Sequence, residues 1–167
     1  MKTLENYLHM AKKLEGKKVK DSIDSLYNYK EQEDFFGKKF KNHRKLTKGV
    51  FARFIEEDYF GLQINSRSEA DFIDVDLELK VTGIKHVHQN DLYNAKERLV
   101  LSMINYEELC QYENWTDNKH LFNKLNNILL IIYLYEKKPV EFEDFIVIHS
   151  FVWSPTQEQK KIIQDDY

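Results

Sequence analysis

Two apolar segments in the C-terminal half constrain the fold more than any other feature of the chain. Residues 128–135 form an uninterrupted apolar run of eight residues, and residues 145–152 form a second run rich in β-branched and aromatic side chains. Short apolar runs of this kind are typical of strands buried inside a sheet. A membrane helix needs about 20 apolar residues. We therefore predict two central strands and no membrane association.

The pattern along the rest of the chain predicts an α/β protein with a mixed sheet flanked by helices. Apolar positions at helical spacing alternate with short runs that favour strands. Ser154, Pro155 and Gln157 have the spacing of a helix start, with Ser154 as the N-cap. The predicted helices are 3–15, 21–29, 46–60 and 156–167, with a helical turn at 106–112; the predicted strands are 71–74, 76–83, 98–104, 128–135 and 145–152, with a loop at 86–94.

Length and cysteine content indicate one domain in a reducing compartment. A chain of 167 residues suits a single domain with a substantial core, so we predict one domain over residues 1–167. Its single cysteine excludes an internal disulfide, and the N-terminus has no signal-peptide pattern. The expected location is the cytoplasm.

The charge distribution suggests a nucleic-acid partner, although the net charge of −3 does not. Residues 1–50 carry 13 basic and 7 acidic side chains, a net charge of +6, whereas residues 51–167 carry 12 and 21, a net charge of −9. Clustered basic side chains supply phosphate contacts that do not depend on base sequence. The cluster preceding the helix at 46–60 is the favoured DNA-binding candidate, and a solvated surface is the alternative. It comprises Lys38, Lys39, Lys41, Arg44, Lys45 and Lys48.

A carboxylate, a second carboxylate and a lysine form the pattern with the clearest chemical meaning. Six residues separate Asp71 from Glu78, and one residue separates Glu78 from Lys80. Residues two apart in a strand project on the same face, so Glu78 and Lys80 would lie together. Carboxylates suit Mg²⁺, and a neighbouring lysine can stabilise charge on a phosphoryl group. A strand with a solvated charged face is the alternative.

A third carboxylate lies on the apolar stripe of the preceding predicted helix. Val50, Phe54, Glu57 and Gly61 follow one another at steps of four, three and four residues, whereas Glu56 falls on a more solvated face nearer Arg53. A buried carboxylate is costly unless a cation meets it. A metal shared with the strand carboxylates would meet Glu57, and a buried salt bridge to a lysine or arginine is the alternative.

This set of residues resembles the MutH mismatch-repair nickases and the related GATC-cutting type II restriction endonucleases, within the PD-(D/E)xK nuclease fold. The resemblance rests on Glu57, Gly61, Asp71 and the segment Glu78-Leu79-Lys80. Three further blocks extend it over most of the chain: residues 96–106, similar to a core strand of the restriction branch; Asn123-Lys124-Leu125; and residues 151–155 before a polar helix.

The resemblance implies a restriction-endonuclease-like core and a set of site residues. Glu57, Asp71, Glu78 and the carbonyl of Leu79 would bind Mg²⁺, and Lys80 would orient the attacking water. Lys124 matches the stretch where the family carries a second functional lysine, expected to support the site or contact a phosphate. Lys45, Lys48 and Lys124 are the predicted DNA contacts.

The implied activity is Mg²⁺-dependent hydrolysis of double-stranded DNA at GATC sites, leaving 5′-phosphates. Residues 96–106 favour the restriction branch over a nickase, and a non-catalytic DNA-binding or protein-binding module is the remaining alternative. Cutting both strands would require two copies of the chain to meet on DNA as a homodimer. In the family a further lobe reads the GATC bases after the last helix, so we expect these residues to be the catalytic domain of a longer enzyme.

Overall fold

Four strands form one mixed sheet. The computed structural model describes residues 2–26, 49–63, 69–87, 92–135 and 144–167. The strands are β1 (Glu78–Val87), β2 (Leu92–Ala95), β3 (Ile128–Leu134) and β4 (Ile146–Trp153), in the order β2-β1-β3-β4. The β1 and β3 strands are parallel, whereas the β1–β2 and β3–β4 pairs are antiparallel. The predicted α/β class with a mixed sheet is confirmed.

Helices flank this sheet in the described part of the chain. They are α1 (Leu4–Lys12), α2 (Val19–Leu26), α3 (Val50–Arg53), α4 (Tyr106–Leu109), α5 (Lys119–Leu125) and α6 (Gln157–Asp166). The α3 helix continues directly as a π-helix over Phe54–Tyr59 and ends before Gly61, whose φ of 71° suits the residue after a helix. Across these ranges, none of the helices combines the length and apolar character needed to cross a bilayer.

The core lies between the sheet and the helices at the N-terminal side of the chain. In β3, Ile128, Leu129 and Ile131 are all essentially inaccessible to solvent, as expected of a strand covered on both faces. Leu79 of β1 is also buried, and Phe54 of the π-helix belongs to the same apolar cluster. This packing fixes the π-helix beside the first residues of β1, where the candidate site residues lie.

The predicted position of the second apolar run was wrong in one respect. Strand β4 lies at the edge of the described sheet, so of the two predicted runs only the one that forms β3 is central there. Two isolated bridges partly cover this edge, one from Glu15 to Val147 and one from Lys18 to Ile146. An edge covered by neighbouring chain segments can be as apolar as a central strand, which explains the misplacement.

Three secondary-structure predictions around the proposed site, two strands and one loop, were also wrong. Residues 73–75 form a 3₁₀ turn, and the predicted strand at 71–74 retains a single bridge between Phe72 and Leu77. The hairpin instead joins β1 to β2, so Leu92–Ala95 is a strand where a loop was expected. Residues 98–105 lie in no strand, and the two sides of β1 are taken by β2 and β3.

The N-cap of the last helix lies two residues later than predicted. Thr156 is the N-cap of α6, and its hydroxyl accepts a hydrogen bond from the backbone N–H of Gln159. The Gln159 side chain accepts one from the Thr156 backbone N–H, which completes a capping box. The hydroxyl of Ser154 instead donates to the Asn127 side chain, 2.7 Å away, and thus ties the end of β4 to the start of β3.

Candidate active site

The Glu78 carboxylate lies at the centre of the candidate site because of the register between β1 and β3. Glu78 is the first residue of β1 and pairs with Ile128, and its backbone N–H donates to the carbonyl of Asn127. The residue is 2% exposed. Since α5 ends shortly before β3 begins, the same register brings Lys124 close to Glu78.

Two lysines hold the two oxygens of the buried Glu78 carboxylate. Lys80 Nζ lies 2.8 Å from Oε1, and Lys124 Nζ lies 2.9 Å from Oε2. Lys124 also donates to the backbone carbonyl of Glu69, 3.0 Å away. A buried carboxylate is tolerated only when charges and hydrogen bonds offset its desolvation, and these contacts provide both. The site therefore holds a carboxylate and two ammonium groups in a fixed arrangement.

Asp71 lies alongside this cluster because the following segment folds back on itself. The 3₁₀ turn and the left-handed Asp76, with φ 49°, return the chain to Leu77. The Asp71 side chain then accepts a hydrogen bond from the backbone N–H of Leu79 at 2.8 Å. Burial and then the negative charge of Glu78 raise the pKa of Asp71, against the opposing effects of the Leu79 N–H, Lys124 and Lys80.

The π-helix affects the directions of its two adjacent glutamates, Glu56 and Glu57. The N–H of Phe60 bonds to the carbonyl of Ile55, five residues earlier, at 3.0 Å. Such wide turns alter the direction of side chains relative to an α-helix. Glu57 accepts from Arg53 at 3.0 Å, so the expectation that Glu56 would be the glutamate nearer Arg53 was wrong. Glu57 thus forms a salt bridge to an arginine one turn away, although the pair is exposed and not buried as the alternative supposed.

Glu56 of the π-helix interacts electrostatically with the residues of the candidate site. Burial raises the pKa of Glu56, and the negative charge of Asp71 raises it further, while Lys80 lowers it. Glu57 and Glu78 add smaller effects that also raise it. The adjacent glutamates Glu56 and Glu57 in the sequence indicated a carboxylate near the site, but α-helical spacing favoured Glu57.

An open groove of about 340 Å³ adjoins these residues. Ala52 and Glu56 form one wall, and residues 79–82 of β1 form the floor. The opposite wall consists of residues 97–100, which the sequence had placed in a core strand. Because this segment lies outside the sheet, Glu97 and Arg98 are free to line the groove. The groove reaches Lys80 and is a route by which a ligand could approach it.

The structure thus brings together Asp71, Glu78, Leu79, Lys80 and Lys124. It directs Glu57 to Arg53 instead, and Glu57 remains a predicted ligand. Lys45 and Lys48 lie outside the described residues. Over the described ranges, the His, Cys, Asp and Glu side chains form no group of three or more that could hold a metal ion as they stand. At Glu78, both carboxylate oxygens are engaged by lysines.

Replacement of Glu56 by glutamine should stabilise the metal-free protein at neutral pH. As pH rises through the ordinary value of 4.5, the unfolded chain loses the Glu56 proton before the folded protein does. The free energy of unfolding therefore falls until the raised pKa of the folded state is passed. Glu56→Gln removes this loss. Urea denaturation in EDTA should therefore show a higher free energy of unfolding for the variant than for the wild type at pH 8, and no difference well below pH 4.5.

The matched control for this experiment is Glu57→Gln. It removes the neighbouring carboxylate, whose ion pair with Arg53 is of a kind worth only about 0.3–0.5 kcal/mol. This variant should show a smaller dependence of its stability change on pH. Destabilisation of the Glu56→Gln variant at pH 8 would contradict the arrangement described for Glu56.

Comparison with known proteins identifies the family. The family model for the DNA mismatch repair enzyme MutH matches residues 60–166, which include Asp71, Glu78, Lys80 and Lys124. The Type II restriction enzyme Sau3AI of Staphylococcus aureus is 41% identical over 81 residues. These residues are 48% of this chain and 16% of that enzyme, so the chain matches only a small part of this relative. Since the match to the family model covers more than half of the sequence, the chain belongs to the MutH family.

Proposed function

We propose that the protein is a Mg²⁺-dependent DNA endonuclease that hydrolyses phosphodiester bonds at GATC sites and leaves 5′-phosphates. The observation that carries this proposal is the buried Glu78 carboxylate between Lys80 and Lys124, with Asp71 held against the same strand. Carboxylates and lysines at one position provide both ligands for a hard cation and donors for a phosphoryl group. Membership of the MutH family and the similarity to a restriction enzyme support the same activity.

The chemistry of the donor set fits Mg²⁺. Glu56, Asp71 and Glu78 supply oxygen atoms only, and their three negative charges exceed by one the two positive charges of Lys80 and Lys124. Burial and mutual repulsion raise the pKa values of Glu56 and Asp71. A bound cation would relieve this excess of negative charge. When bound, Mg²⁺ would polarise the scissile phosphate and lower the pKa of a coordinated water.

We assign the ligands to Asp71, Glu78, the carbonyl of Leu79 and one carboxylate of the π-helix. The electrostatic neighbours of Glu56 favour it for that position, whereas the family resemblance favours Glu57. The variants Glu56→Gln and Glu57→Gln distinguish the two. Loss of the true ligand should remove most of the rise in Tm that Mg²⁺ produces, and loss of the other should leave most of it.

The residues of the chain have separate roles in the proposed reaction. The Leu79 N–H holds the Asp71 carboxylate in place, and Lys124 holds Glu78 while anchored on the Glu69 carbonyl. Lys80 would orient the attacking water and donate to the phosphoryl oxygen as negative charge develops there. Its ammonium is 2.8 Å from Glu78 and borders the open groove, so it can reach both the carboxylate cluster and a ligand in the groove.

The test is incubation of unmethylated plasmid DNA containing GATC sites with the protein in Mg²⁺ or EDTA. Discrete fragments ending in 5′-phosphates, formed in Mg²⁺ alone, are expected. Cleavage without a preference for GATC would refute the assigned specificity. Absence of cleavage, together with a Tm that does not respond to Mg²⁺, would refute the nuclease itself. A metal that binds only the folded protein should add about 2.7 kcal/mol of stability at 100 times its Kd.

Nicking of one strand is the second candidate, and the match to the mismatch repair enzyme model favours it. The same plasmid distinguishes the two outcomes. A nickase converts supercoiled plasmid into open circles, whereas a restriction enzyme produces linear DNA and then fragments. If two copies of the chain must meet on DNA to cut both strands, the rate of linearisation should rise more steeply than linearly with protein concentration.

A further inference from the structure

We propose that Arg98 binds a backbone phosphate of the DNA strand and so positions that strand in the groove beside Lys80. This inference rests on the proposed nuclease function and adds a residue to which the sequence pattern assigned no such role. Three features of the groove carry it: the position of Arg98, the lack of a partner for its side chain among the described residues, and the distribution of charge on the two walls.

Arg98 lies on the wall opposite the π-helix. It lines the groove together with Glu97, Leu99 and Val100, and the floor between the walls contains Lys80. A volume of about 340 Å³ is within the range of small-ligand pockets, roughly 300–1,000 Å³, so the groove can accept part of a nucleotide. A phosphate lying between Arg98 and Lys80 would therefore be adjacent to the carboxylate cluster.

The Arg98 side chain is available for a ligand. The residue is exposed, and within the described part of the chain its guanidinium has no hydrogen-bonding or ion-pairing partner. By contrast, Lys80 and Lys124 are engaged by Glu78, and Arg53 is engaged by Glu57. Arginine presents a planar fork of N–H donors that matches two phosphate oxygens at once, which favours a phosphate over a water as its partner.

The charges of the groove explain why a second cation is needed there. Glu56 and Glu97 place a carboxylate on each wall, and both would repel a phosphodiester. Lys96 partly offsets Glu97 at 3.8 Å, but Lys80 cannot offset Glu56 as well, because Glu78 already holds its ammonium at 2.8 Å. Arg98 adds a positive charge on the wall that lies away from the proposed metal ligands. Leu99 and Val100, which are 37% and 63% exposed, offer apolar surface beside it against which a deoxyribose can pack.

The test compares Arg98→Ala, Arg98→Lys and the charge-matched control Lys161→Ala, an exposed lysine of α6. Steady-state cleavage of a GATC duplex is measured in Mg²⁺. Binding of the same duplex is measured in Ca²⁺ at several salt concentrations. For Arg98→Ala we expect KM to rise about tenfold with kcat nearly unchanged, and the salt dependence of binding to decrease by about one phosphate contact.

Arg98→Lys should recover the salt dependence but only part of the affinity, since lysine keeps the charge and loses the fork. Lys161→Ala should match the wild type. Wild-type KM and salt dependence in Arg98→Ala would overturn the inference, as would a fall in kcat at unchanged KM. If the wild type binds DNA without cutting it, the proposed function fails, while the salt-dependence comparison still decides the role of Arg98. A wild type that binds no DNA overturns both.

Discussion

Replacement of Lys80 by alanine is expected to lower the rate of Mg²⁺-dependent DNA cleavage by about 10²–10³-fold. Lys80 is the cation that links the buried carboxylate cluster to the open groove. Its ammonium would stabilise the additional negative charge that develops on the phosphoryl oxygen in the transition state, so the loss should appear mainly in kcat and less in KM. Single-turnover cleavage of a GATC duplex at saturating protein isolates this step.

The fold of the Lys80→Ala variant should survive, because Lys124 still pairs with the other oxygen of Glu78. The matched control is Lys85→Ala. Lys85 belongs to the same strand but is an odd number of residues away, so its side chain projects on the opposite face. The Lys85→Ala variant should cleave DNA at the wild-type rate. Undiminished cleavage by a cooperatively melting Lys80→Ala variant would refute the catalytic role assigned to Lys80.

The strand that carries the core could be predicted from sequence because its environment is simple. Strand β3 is covered on both faces, so nearly every one of its residues is apolar, and the run ends where the strand ends. Lys80 and Glu78 could be placed together for a similar reason, since residues two apart share a face in any strand. The observed contact of 2.8 Å follows from that local geometry.

Pairing between distant segments could not be predicted in the same way. Residues 98–104 have the alternating apolar pattern of a strand, yet Val100 and Met103 are 63% and 80% exposed. The pattern describes the segment alone, whereas a strand also needs a free neighbour in the sheet. The β1 strand has none, because β2 and β3 take its two sides. The displaced segment becomes a wall of the groove instead of part of the core.

The placement of the helix carboxylates depended on a detail that periodicity does not contain. Spacing at 3.6 residues per turn puts Glu57 on the apolar stripe. A π-helical turn rotates the following side chains, so that Glu57 contacts Arg53 and Glu56 lies near Asp71 and Lys80. Lys124 illustrates a different limit of prediction from sequence. Family resemblance indicated it, but its contact with Glu78 depends on the register of β1 against β3.

Replacement of Glu78 by alanine is expected to lower the free energy of unfolding by about 3–5 kcal/mol, a large part of the stability of a typical domain. The side chain is 3% exposed and is the shared partner of Lys80 and Lys124, which are themselves 22% and 15% exposed. Its removal takes from both partly buried ammonium groups the carboxylate that they contact, and leaves them the longer-range charges of Asp71 and Glu56. Urea denaturation in EDTA measures the loss without any contribution from a bound metal.

A second substitution shows whether the loss arises from the unpaired lysines or from the cavity left by Glu78. In the Glu78→Leu background, Lys124→Met should recover part of the lost stability, because it removes one stranded charge and keeps a side chain of similar length. In the wild-type background, Lys124→Met should instead be destabilising. The exposed Glu158→Ala, on α6, should change stability by less than about 1 kcal/mol. If Lys124→Met is equally costly in both backgrounds, the Glu78–Lys124 pair contributes nothing to the fold.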